Sequence, residues 1–137
     1  MGTYEATVEG VFKARHAVRT PGGAWEQPHE HLWAVAATFR SARLDPATGV
    51  VIDFVEVQGA LASITAGLEG SDLNGIAAFA GGGASAERVA GHLAGLLAAA
   101  LGKGGAKLYR LAVTEASGCS AAYYPRQVGL DGGGRRS

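Results

Sequence analysis

The sequence predicts an α+β fold, in which a four-stranded antiparallel sheet carries two helices on one face in the order ββααββ. Three observations lead there. Apolar residues alternate at both ends of the chain, they recur every three to four residues in its middle, and clusters of Gly, Pro, Asp and Ser separate the segments. Amphipathic helices need an apolar sheet face to cover, and the alternating segments supply one.

The first segment places Tyr4, Ala6, Val8, Phe12, Ala14 and His16 on one side, with Glu5, Thr7, Glu9, Lys13 and Arg15 on the other. His16 therefore shares the apolar face of a half-buried strand. "TPGGAWEQP" breaks the pattern as a loop. From His29 alternation resumes, with His29, His31, Trp33, Val35, Ala37 and Phe39 on one face and Glu30, Leu32, Ala34, Ala36, Thr38 and Arg40 on the other. "RLDPATG" ends this strand. Phe54, Val57, Leu61, Ile64 and Leu68 then form a helical stripe, with Asp53 as its cap and Glu56 placed to complete a capping box. After the Gly-rich connection "EGSDLNGIAAFAGGGA", Ser85 opens a second helix with Val89, Leu93, Leu96, Leu97 and Ala100 inward and Gly102 as its stop. "KLYRLAVTE" alternates, placing Tyr109, Leu111, Val113 and Glu115 opposite Leu108, Arg110, Ala112 and Thr114, and "SAAYYP" closes the set.

A chain of 137 residues makes one domain, expected over 1–128, followed by a tail at 129–137 with too little apolar surface to order itself. Twelve Lys and Arg balance twelve Asp and Glu, which leaves no field to attract nucleic acid or an anionic membrane and directs attention to a small ligand. The apolar run "LAGLLAAALG" is half the roughly twenty residues a bilayer demands. With a single cysteine, Cys119, and no charged-then-apolar leader in "MGTYEATVEG", a cytoplasmic location is expected. The open edges of a four-stranded sheet make association of subunits a natural way to cover them.

The stretch "WEQPHEHLW" (25–33) carries the chemistry. Side chains two apart on a strand point the same way from Cα atoms about 6.5 to 7 Å apart, so the rings of His29 and His31 can lean onto one ion. Zinc accepts three imidazoles and keeps a fourth position for water or substrate. His16 is the third candidate, because His92 lies on the flank of the second helix. "AGGGA" (80–84) lacks the lysine of a phosphate-binding P-loop and a preceding strand. Cys119 reads as a small, inert side chain, and Asp72 as an acid in the Gly-rich connection.

Six blocks, "FKARH", "HEHLW", "DPATGVVIDF", "LEGSDLN", "ASAERVA" and "VTEASGCSAAYY", occur in the order and spacing of the 6-pyruvoyltetrahydropterin synthase and 6-carboxytetrahydropterin synthase family, which the chain resembles over nearly its whole length. The resemblance implies zinc bound by His16, His29 and His31, and a pterin anchored by Glu115. A carboxylate suits that task because it accepts two parallel hydrogen bonds from a guanidine-like edge. Ser85 matches a family threonine that reaches the pterin, and also suits a helix cap. The implied architecture is the tunnelling fold, with subunits joined into barrels and stacked as a homo-hexamer, a dimer of trimers whose active sites lie between subunits.

The chain departs from the family pattern at three places. The family's cysteine before its HGH block is absent, since the corresponding offsets hold Trp25 and Gly23; its Asp-His pair reads Glu69-Gly70; and the middle glycine of HGH is Glu30. Glu26, three residues before His29, gives ExxHxH, which resembles a subgroup with glutamate in place of cysteine. That likeness implies a lyase that shortens the side chain of dihydroneopterin, or its phosphate, to 6-hydroxymethyldihydropterin, with Glu26 as base and neighbouring Trp25 supplying apolar cover. The alternatives are a divergent 6-carboxy- or 6-pyruvoyltetrahydropterin synthase acting on dihydroneopterin triphosphate, and a non-catalytic homologue that binds zinc and pterin.

Overall fold

The computed structural model describes residues 2–127, so the expected tail at 129–137 and the first and last residues of the expected domain lie outside the described residues. Two long strands, β1 (Tyr4–His16) and β2 (His29–Ser41), pair antiparallel along their full length, from Tyr4 opposite Ser41 to His16 opposite His29. Helix α1 (Phe54–Leu68) follows, then β3 (Ser71–Asp72), helix α2 (Ala86–Leu101), β4 (Leu108–Ala116) and β5 (Cys119–Tyr123).

The sheet has five strands in the order β3-β1-β2-β4-β5 and is mixed, which corrects the expectation of four antiparallel strands. The added strand runs parallel to β1, setting Ala14 against Ser71 and Arg15 against Asp72. Its two residues are too short to show a period, and they sit inside the segment that reads as a Gly-rich connection. The causes of its placement are local. Gly70, at φ +75°, turns the chain out of α1; its N–H donates to the Lys13 carbonyl, and the Lys13 N–H donates to the Glu69 carboxylate.

Both helices begin as their caps dictate: the Asp53 carboxylate accepts from the Val55 N–H, and the Ser85 hydroxyl from the Arg88 N–H. Gly102, at φ +58°, ends α2. Helix α1 buries Val57, Leu61, Thr65 and Leu68 against β1, where Gly10 permits close approach; a Cβ there would lie 3.2 Å from Leu61. Helix α2 buries Val89, Ala90, Leu93, Ala94, Leu97 and Leu101. Phe54, Leu96 and Ala100, expected inward, are exposed. Phe54 opens the first turn of α1, and Leu96 lies about 100° round the helix from Leu97, so it faces solvent.

Under the helices, Trp33, Phe12 and Phe39 are fully buried, with the Phe12 and Trp33 rings stacked 5.9 Å apart. Each contributes roughly 1.5–3 kcal/mol by leaving water. Strict alternation fails in β4. A bulge opposite Thr38 and Phe39 makes Tyr109 the extra residue and turns Leu108 into the core with Leu111. No described helix is long and apolar enough to cross a membrane.

Candidate metal centre

His16 ends β1, His29 opens β2, and the two are directly opposed in the ladder. Opposed residues of an antiparallel pair project to the same face, and His31 rejoins that face two residues on. The register thus brings three rings together, with centroids 4.7 Å apart for His16 and His29, 4.6 Å for His29 and His31, and 5.1 Å for His16 and His31. Beneath them the Trp33 indole meets the His16 ring edge-on at 4.8 Å, held by donation from its Nε1–H to the Ala14 carbonyl.

Backbone carbonyls orient two of the rings. His16 Nδ1 lies 2.7 Å from the Ala84 carbonyl and His29 Nδ1 lies 2.9 Å from that of Gln27. A carbonyl only accepts, so in both rings the proton sits on Nδ1 and the Nε2 lone pair is free to bind a cation. Histidine ligands of metals are held in this way. The Nε2 atoms of His16 and His31 are buried without a hydrogen-bond partner, an arrangement that costs stability unless something accepts their lone pairs.

Glu115 completes the cluster. Glu115 follows Leu111 and Val113 on the same face of β4, the face that carries the histidines, and the β4–β5 pairing is irregular beside it, between Thr114 and Ala116. Its Oε2 lies 3.5 Å from His16 Nε2 and 3.3 Å from His31 Nε2, and neither pair forms an aligned hydrogen bond. One ligand atom each from His16, His29, His31 and Glu115 falls within 4.8 Å of all the others. Three imidazoles and a carboxylate are a donor set that zinc accepts. Burial holds the His31 pKa below its ordinary value, outweighing the attraction of Glu115, and nearby His29 and His16 lower it further. The neutral, metal-binding form is the one favoured.

Glu26 stands at the rim. Its carboxylate accepts from the Val18 N–H, its own N–H donates to the Val18 carbonyl, and its Oε1 lies 3.8 Å from His29 Nε2. A cavity of about 480 Å³ opens beside it, with Trp25, Gln27, Asp72, Asn74 and Phe79 on its walls. Trp25 and Glu26 line the same cavity. The Trp25 indole packs against Gly83 and beneath the Arg19 guanidinium, and the Glu26 side chain is one-third exposed (33 %).

The remaining candidates are spread out. Ser85 caps α2 one residue after the Ala84 carbonyl that holds His16. Asp72 caps the turn at Asn74 across the cavity from Glu26. Glu30 is exposed on the opposite face of β2, Cys119 is exposed at the β4–β5 turn, and His92 lies edge-on to Phe79. Glu69, at the position of the family's aspartate, is engaged with the Lys13 backbone. Sequence reasoning missed the Ala84 and Gln27 carbonyls, which no side chain announces. It also missed Asn74, whose amide exchanges two hydrogen bonds with the Ala17 backbone immediately after His16.

The model of the 6-pyruvoyl tetrahydropterin synthase family matches residues 5–126. The chain belongs to that family. No curated protein matches it by sequence. Among solved structures it is similar to the 6-pyruvoyl tetrahydropterin synthase of Caenorhabditis elegans, with a TM-score of 0.76 at 15% identity over 92% of this chain and 98% of that one. It is also similar to the Plasmodium vivax 6-pyruvoyltetrahydropterin synthase, solved as a mutant in which a catalytic glutamate is replaced by alanine. There the TM-score is 0.72 at 15% identity, over 93% of this chain and 100% of that one. An uncharacterized protein of Wolinella succinogenes matches with a TM-score of 0.71 at 16% identity, over 92% and 100%. At these identities the likeness speaks for the fold, and the tunnelling-fold expectation agrees with it.

Proposed function

We propose that this family member is a zinc-dependent pterin lyase that shortens the side chain of dihydroneopterin, or of its phosphate, to 6-hydroxymethyldihydropterin. The observation that carries this reading is the placement of Glu26 Oε1 3.8 Å from His29 Nε2, at the mouth of the cavity and beside the three-histidine cluster. The Plasmodium vivax relative, whose catalytic residue is a glutamate, supports a carboxylate in that role.

His16, His29 and His31 would hold the zinc, which would supply Lewis acidity toward the side-chain hydroxyls of the substrate. The chain's own groups do the rest. Glu26 accepts the proton of the 2′-hydroxyl while the bond between C1′ and C2′ breaks. The aldehyde fragment leaves, the pterin ring takes up the electron pair, and C1′ is then protonated. The Val18 N–H holds the Glu26 carboxylate in place. Glu115 binds the amidine-like edge of the pterin, Ser85 adds a hydroxyl beside the ring, and the cavity accommodates the side chain.

The active assembly is proposed to be a homo-hexamer of two stacked trimers, cytoplasmic and independent of nucleic acid and membrane. Beyond Ala14 and Arg15, the outer edge of β1 carries no neighbouring strand among the described residues, and Val11 and Leu32 expose 58% and 59% of their surface on the sheet face away from the helices.

Product analysis tests the reaction. Zinc-loaded protein incubated with dihydroneopterin, and separately with its triphosphate, is expected to yield the hydroxymethyl product from at least one. A carboxy or pyruvoyl product instead identifies a divergent synthase, and bound but unchanged pterin identifies a non-catalytic homologue.

A further inference from the structure

We infer that the site takes a dihydropterin whose three-carbon side chain ends in a free hydroxyl, and that Glu26 and Asp72 together turn away one that ends in a phosphate. The inference rests on the proposed function and narrows its substrate class.

Where the side chain ends follows from its connectivity, whichever way the ring system points. C3′ is bonded to C2′, so a substrate whose side-chain hydroxyl reaches the ion between His16, His29 and His31 also brings its C3′ substituent close to that ion. Glu26 is already there. Its Oε1 lies 3.8 Å from His29 Nε2, and its side chain lines the cavity that opens beside the cluster. Asp72 lines the same cavity, exposed and held in place by donation from the Asn74 N–H to its carboxylate.

A hydroxyl and a phosphate make opposite demands on these walls. The hydroxyl donates to a carboxylate, whereas the phosphate brings negative charge and acceptor oxygens that a carboxylate cannot satisfy. Among the described residues, no Lys or Arg lines the cavity. Arg19 lies over the Trp25 ring and donates to the Gly23 carbonyl, and Arg88 lies against Gly82, so neither is part of the lining. The Asn74 amide is engaged with the Ala17 backbone. A divalent ion has to be counted as well, and its two positive charges are outnumbered by the carboxylates of Glu26, Asp72 and Glu115. The surroundings of C3′ therefore carry an excess of negative charge, which repels a phosphate and leaves a hydroxyl unaffected.

Calorimetry on the zinc-loaded full chain, with oxidised neopterin and its 3′-triphosphate as probes, reads binding apart from turnover of a dihydropterin. Neopterin is expected to bind at least about tenfold more tightly than the triphosphate. Raising the salt from about 50 mM to about 500 mM screens the repulsion, so triphosphate binding should tighten while neopterin binding stays level. Asp72→Asn removes a charge but keeps an oxygen for the Asn74 N–H, and it should narrow the preference at least about threefold with neopterin affinity held within about twofold. Equal affinities for the two probes overturn the inference, as does a triphosphate that binds more tightly and weakens with salt, the mark of cations brought by a second subunit. An unchanged preference in Asp72→Asn overturns the part given to Asp72. A preference for neopterin in protein that forms no hydroxymethyl product supports this inference while the lyase reading falls. If neither probe binds, both fall.

Discussion

His16 and His29 are ladder partners at the open end of the β1–β2 pair, and each directs its Nδ1 to a backbone carbonyl so that both Nε2 atoms face the same space. The chemistry of the site follows from that pairing, because turning either ring away would break its hydrogen bond to the backbone carbonyl. Slipping the register by one residue would send one of the two to the opposite face of the sheet.

Glu26→Gln is the sharpest test of the catalytic assignment. Its amide oxygen can still accept from Val18 N–H, so the loop should hold its shape and zinc content should match wild type. Loss of the base should lower turnover by at least about a hundredfold. Unchanged steady-state rates would remove Glu26 from the mechanism.

Asn74→Ala should act at a distance. The lost amide makes two hydrogen bonds to Ala17, each worth about 0.5–1.5 kcal/mol, so chemical denaturation should show a loss of about 1–3 kcal/mol. Because Ala17 directly follows His16, zinc affinity should fall as well. Full stability with full affinity would mean that Asn74 is a bystander.

The stability of metal-free protein should depend on His31. Its folded pKa lies below the unfolded value near 6.5, so within that window the unfolded chain binds more protons. Its contribution is complete above about pH 6.5 and is lost as pH falls through the unfolded and then the lowered folded value. Denaturation midpoints measured with chelator between about pH 7 and about pH 5 should decline, and His31→Gln should decline less. Parallel curves would exclude the effect.

Gly83→Ala should disturb the loop that shapes the cavity. Gly83 has φ +89°, and an added Cβ would lie 2.9 Å from the Trp25 ring and 3.2 Å from the Ala17 carbonyl. A destabilisation of about 1–2 kcal/mol is expected from the backbone conformation alone, together with a change in Trp25 fluorescence. A fully stable variant with unaltered emission would show that the loop adapts.

Much of this was legible in the residues. Alternation placed His16, His29 and His31 on one face, because a strand has only two faces and neighbouring apolar residues declared which one was buried. The caps at Asp53, Ser85 and Gly102 were equally plain, since each serves backbone groups of its own helix. Strand β3 was not legible. Two residues have no period, and the hydrogen bonds that dock them come from Lys13, far away in sequence. The bulge at Glu115 was hidden for the same reason: it depends on how β4 and β5 register, and a single strand's pattern does not record that. Alternation put Glu115 on the face of Leu111 and Val113, but its distance from the histidines depends on how β4 pairs with β2 and emerged only in three dimensions.

The central claim is that His16, His29 and His31 hold one divalent ion, and zinc stoichiometry measures it most directly. Protein supplied with zinc and then exhaustively desalted should retain one ion per chain by elemental analysis, and His29→Ala or His31→Ala should retain almost none while staying folded. Wild-type protein that keeps no zinc above background, or variants that keep as much as wild type, would contradict the account.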